Sequence, residues 1–169
     1  MKTIRTLARA GAIRVVLAVS VAWAGPALAD EAASLAQALK SADAKDWSSA
    51  LTAAQGAGAI GGDVILWQWL RDGQGRLGDY EAFLKRRPDW PGLALLREKG
   101  EEAVARSTDP ARVVAYFAGQ PPKTGKGAVA LVSALIASGQ TEAAKTEAAR
   151  AWVALKFEAE DQAAMLALM

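Results

Sequence analysis

The chain has 169 residues, 52% of them hydrophobic, and a formal charge of +2, with neither cysteine nor histidine. Disulfide staples, Ser-His-Asp and Cys-His nucleophilic systems and the usual Cys/His zinc sites are therefore excluded. Four of the 20 basic residues and none of the 18 acidic ones fall in the first 29 positions, which leaves 16 against 18 and a net of −2 for the remainder. No electrostatic case for nucleic acid or an anionic membrane surface survives that correction.

Those first 29 residues read as a secretory signal peptide. Lys2, Arg5, Arg9 and Arg14 make a basic start. An apolar and small-residue run over 15–24 follows, broken only by Ser20, and Ala27-Leu28-Ala29 places small residues where a signal peptidase reads. The run is about half of the roughly 20 residues needed to span a bilayer, so cleavage after Ala29 is expected rather than an uncleaved anchor. The chain thus divides into an export signal, 1–29, and an exported, periplasmic domain, 30–169, with no membrane segment left after cleavage. The second part is long enough for one core without disulfides.

From there the pattern is helix after helix. Leu35, Leu39 and neighbouring alanines predict a helix over 31–42. Asp46 suits an N-cap for a second, with Trp47, Ala50, Leu51 and Ala54 on one face. Residues 55–58 end it, and Gly61-Gly62-Asp63 opens a third. That helix is apolar on nearly every side over 64–70, except at Gln68, so it is expected to be central; Arg71-Asp72-Gly73 closes it. Asp79 is read as the cap of a fourth, with Tyr80, Phe83 and Leu84 inward, stopped at Arg87 by Pro88. Pro91 is placed in the first turn of a fifth, which carries Leu93, Leu96, Ala103 and Val104 on one side. Asp109-Pro110 opens a sixth, with Val113, Val114 and Phe117. After a Pro/Gly/Lys loop over 119–127, Ala128, Leu131, Val132, Leu135 and Ile136 follow the i, i+3, i+4, i+7, i+8 template. Ser138-Gly139-Gln140 turns the chain into a helix striped by Ala144, Ala148, Ala151, Trp152 and Leu155, and a last helix starts near Glu158. No segment reads as a strand.

Asp46, Asp79, Asp109 and Thr141 recur at intervals in the thirties, each opening a helix. With two helices per interval, this marks stacked helical hairpins. The predicted fold class is all-α, a curved superhelix of tetratricopeptide-like repeats; the alternative is a closed bundle of eight or nine helices. Trp67 or Trp69, Phe83, Leu96, Phe117, Leu135 and Trp152 are expected in the core.

The residues able to carry chemistry are few. A glycosidase needs a carboxyl group with a raised pKa in a shielded cleft. The candidates, Glu101-Glu102 and Glu158, Glu160 and Asp161, sit among charged or small neighbours and read as solvated faces; the second group also lacks calcium-loop spacing. Lys85-Arg86-Arg87 reads as helix-end cations offsetting the carbonyl dipole, against an alternative role in holding an anionic glycan. Trp67 and Trp69 read as core rather than a sugar-stacking platform, and Trp90, between two prolines, as packing across its turn. No catalytic, cofactor or metal site is assigned.

The run Trp67-Gln68-Trp69-Leu70-Arg71-Asp72-Gly73, then Asp79-Tyr80-Glu81-Ala82-Phe83-Leu84, then Arg87-Pro88-Asp89-Trp90-Pro91-Gly92 resembles the N-terminal helical region of bacterial soluble lytic murein transglycosylases. The resemblance extends through Leu95-Leu96-Arg97-Glu98-Lys99-Gly100-Glu101, Pro121-Pro122-Lys123-Thr124-Gly125 and Gly139-Gln140 to Trp152. It implies a curved superhelix preceding a lysozyme-like domain, in enzymes that cleave peptidoglycan glycan strands and leave 1,6-anhydromuramyl ends. The family's Glu-Ser dipeptide and Gly-Leu-Met-Gln motif are absent from this chain. No catalytic residue carries over, and the apolar stop at Ala167-Leu168-Met169 reads as truncation ahead of the catalytic domain. The implied partner is peptidoglycan glycan, reached through the full-length enzyme. The alternatives are a stand-alone periplasmic repeat module that binds a protein, and a small enzyme with a site of its own.

Overall fold

The computed structural model describes residues 26–169. Among the described residues the chain forms nine α-helices and no strand: α1 Pro26–Asp43, α2 Trp47–Ala54, α3 Gly58–Arg71, α4 Leu77–Arg86, α5 Leu93–Ala105, α6 Pro110–Tyr116, α7 Gly125–Ala137, α8 Thr141–Ala154 and α9 Ala159–Leu168. The fold class is all-α. The expected export signal lies outside the described residues except for its last four, 26–29, which open α1.

The helix starts show which signals the backbone uses. The Asp46 carboxylate accepts the Ser49 N–H at 3.1 Å, and Asp109 accepts that of Arg112 at 3.2 Å ahead of Pro110. Both satisfy an amide that the first turn would otherwise leave unpaired. Asp79 differs from expectation: it sits inside the first turn of α4, reaching back to accept the Arg76 N–H at 2.8 Å, so the helix begins at Leu77. Thr141 is likewise the first residue of α8, with Gln140 as the cap. The four recurring residues nevertheless mark the starts of α2, α4, α6 and α8.

Three boundaries move for other reasons. Helix α3 begins at Gly58, so Gly61 and Gly62 lie within it; a Cβ at Gly61 would press on Ala57 and on Leu35 of α1. Pro91 falls outside α5, because Gly92 takes a left-handed φ of 73° and the helix can start only after it. The Pro/Gly/Lys loop ends at Thr124, whose hydroxyl accepts the Gly127 N–H at 3.0 Å and so caps α7 from Gly125.

Every substantial packing pair joins elements one or two apart in the chain. Helix α1 meets α2 and α3, α3 meets α4 and α5, α5 meets α6 and α7, and α7 meets α8 and α9. The odd-numbered helices therefore form a row, with the even-numbered ones set beside it. Alanine lets the first members approach closely: Ala38 and Ala42 of α1 meet Ala50 and Ala54 of α2 over Ile65 of α3. A larger cluster runs from Leu70, Tyr80 and Phe83 through Leu96 and Val104 to Val132, Leu135 and Met165. Helix α3 contributes to both clusters, through Ile65 and Leu70, which is the central position its all-round apolar surface implies. Trp90 packs edge-on against Phe83, with ring centroids 5.7 Å apart.

Phe83, Leu96, Phe117 and Leu135 are buried as expected, and Trp67 and Trp69 are half-buried against the larger cluster. Trp152 is not in the core: it is 40% exposed. The buried stripe of α8 is Ala144, Ala148 and Ala151. The residue after Ala151 is rotated by about 100° on a helix, away from that stripe. Trp152 instead leans on Phe157, centroid to centroid 5.5 Å. Ile136, the last member of the α7 stripe, is also exposed. Trp152→Ala is expected to cost about 1 kcal/mol, against the roughly 3–5 typical of a fully buried Trp; the midpoint of urea unfolding measures it.

Candidate functional site

Glu101 and Glu102 are adjacent on α5 and do opposite things. Glu101 is 3% exposed. Its carboxylate accepts the Lys123 N–H at 2.8 Å, the Thr124 N–H at 2.8 Å and the Thr124 hydroxyl at 2.6 Å. It reaches them because α7 carries no side chain at Gly127, where a Cβ would collide with the carboxylate. From the other side Arg150 of α8, steadied by Glu147 at 2.6 and 2.8 Å, donates to the Pro122 carbonyl at 3.2 Å. The loop over 119–124 is thus fastened to α5 and α8 together.

The reading of Glu101 as part of a solvated face is overturned. Burial pushes its pKa up, partly offset by the hydrogen bonds from Thr124 and Lys123. A raised carboxyl in a shielded place is what a general acid needs, but these oxygens are engaged in holding backbone. The cavity beside it, lined by Tyr116 and Phe117 among others, measures about 40 Å³. That is room for roughly one water molecule and not for a sugar ring.

Glu102 faces outward. It pairs with Arg106 at 3.1 Å and with Lys126, in the first turn of α7, at 3.0 Å. Across from Lys126 stands the start of α9, so the second acidic cluster converges on the first although some sixty residues separate them. Glu158 and Glu160 are exposed; Asp161 is not, at 9%. Burial raises the Asp161 pKa, and the charges of Glu160, Glu102 and Glu158 raise it further, while Lys126 opposes them. Two hollows open here, one of about 530 Å³ bounded by α5, α6, α7 and α9, the other of about 590 Å³ over the starts of α7 and α9. Glu102, Lys126 and Asp161 line both. Their size suits a small ligand. Among the described residues no group of three carboxylates could hold a metal ion, and no helix is long and apolar enough to cross a membrane.

The basic run Lys85-Arg86-Arg87 is mostly structural. Asp63 of α3, buried under the end of α4, accepts Arg86 Nη2 at 2.5 Å and Arg87 Nε at 2.6 Å. Burial alone would raise the Asp63 pKa, but the hydrogen bonds and charges of both arginines outweigh it and hold it below the usual range. Sequence reading placed Asp63 at a helix start and missed the pairing, because a separation above twenty residues carries no local signal. Trp67 lies under the Arg71 guanidinium at 4.5 Å and Trp90 under that of Arg87 at 5.7 Å, with both indole N–H groups enclosed. Neither ring offers a free stacking face together with a free donor.

Compared with protein-family models, curated proteins and solved structures, the chain matches none.

Proposed function

We propose that this chain is a periplasmic helical scaffold of the kind found in peptidoglycan lytic transglycosylases, a curved superhelix of tetratricopeptide-like hairpins that holds a glycan strand rather than cutting it. The observation that carries the reading is the succession of packing: among the described residues every substantial helix–helix contact joins neighbours one or two removed, as expected of stacked repeats. The motif run over 67–92, which carries the family resemblance, spans α3, α4 and the turn into α5, the middle of that row. Cutting is not assigned to this chain. The acid that starts lytic transglycosylation must then act as base toward the muramyl 6-hydroxyl. Glu101 is committed to the 119–124 loop, and Glu102 to Arg106 and Lys126.

The test is incubation of the purified chain with sacculi, followed by mass spectrometry. The expected outcome is retention on sacculi with no 1,6-anhydromuropeptides. Absence of retention would count against the scaffold. Products that disappear in Glu102→Gln or Glu160→Gln would overturn it in favour of a site within this chain.

A further inference from the structure

We draw no further inference here: the strongest candidate, the apolar outward face of α9 made by the exposed Ala159, Ala163, Leu166 and Ala167, is an unpartnered surface patch, and nothing in the structure shows what covers it.

Discussion

Glu101→Ala is expected to destabilise the chain by roughly 3–5 kcal/mol, since it strips the acceptor from three donors at once and each buried unpaired donor costs about 1–3. The donors are the amides of Lys123 and Thr124 and the Thr124 hydroxyl, and the last of these also caps α7. Loss of the clamp should loosen the 119–124 loop, leaving the Arg150 contact to Pro122 as its remaining tether from α8. Glu101→Gln should fall between, because its amide NH₂ would face donors on every side. The pH dependence has a definite sign. The folded pKa of Glu101 lies above its ordinary 4.5, so the folded chain binds that proton more tightly than the unfolded one. The contribution is fully present below 4.5 and is lost as pH rises through the raised value. Denaturant titrations at acid and neutral pH should show this slope in the unaltered chain and its absence in Glu101→Gln. A Glu101→Ala chain as stable as the original would show that the loop does not depend on the clamp.

The second large effect is at the α3–α4 junction. Removing both Arg86 and Arg87 as alanines should cost roughly 3–5 kcal/mol, because it leaves the Asp63 carboxylate buried without a counter-charge. Arg86→Ala alone should cost much less, since its side chain is half exposed and Arg87 still holds Asp63. Asp63→Asn should be tolerated better than the double arginine variant, because no charge is then stranded in the interior. Here the pH sign is opposite to that at Glu101. The folded pKa of Asp63 lies below its ordinary 3.8, so its contribution is present above 3.8 and is lost as pH falls through the depressed value. Acid titration of unfolding should therefore show less loss in Asp63→Asn than in the unaltered chain. The two sites share no partner, so combining Glu101→Ala with Arg86→Ala/Arg87→Ala should give nearly additive losses.

What the sequence by itself determined is local. Helix existence, helix order and most inward faces follow from apolar spacing, because i, i+3 and i+4 neighbours share a face whatever the helix meets. The recurrence of Asp46, Asp79, Asp109 and Thr141 at the starts of α2, α4, α6 and α8 was legible for the same reason: capping is settled within one turn. Exact boundaries were not, where a side chain could serve either as cap or within the first turn, as with Asp79, or where Gly92 took a left-handed φ ahead of α5.

Only the tertiary structure decided which charges are buried. Glu101 and Glu102 look alike in sequence, yet one is enclosed against Gly127 and the other stands in solvent. Asp63 draws its partners from α4, and Asp161 is covered because α9 returns to lie on α7. Trp152 reads as core because it continues the apolar stripe of its helix, but the face that α8 buries is that of Ala144, Ala148 and Ala151, which turns Trp152 outward. Burial of a given side chain depends on which element comes to rest against it, and that is set by packing between helices distant in the chain rather than by the residues on either side.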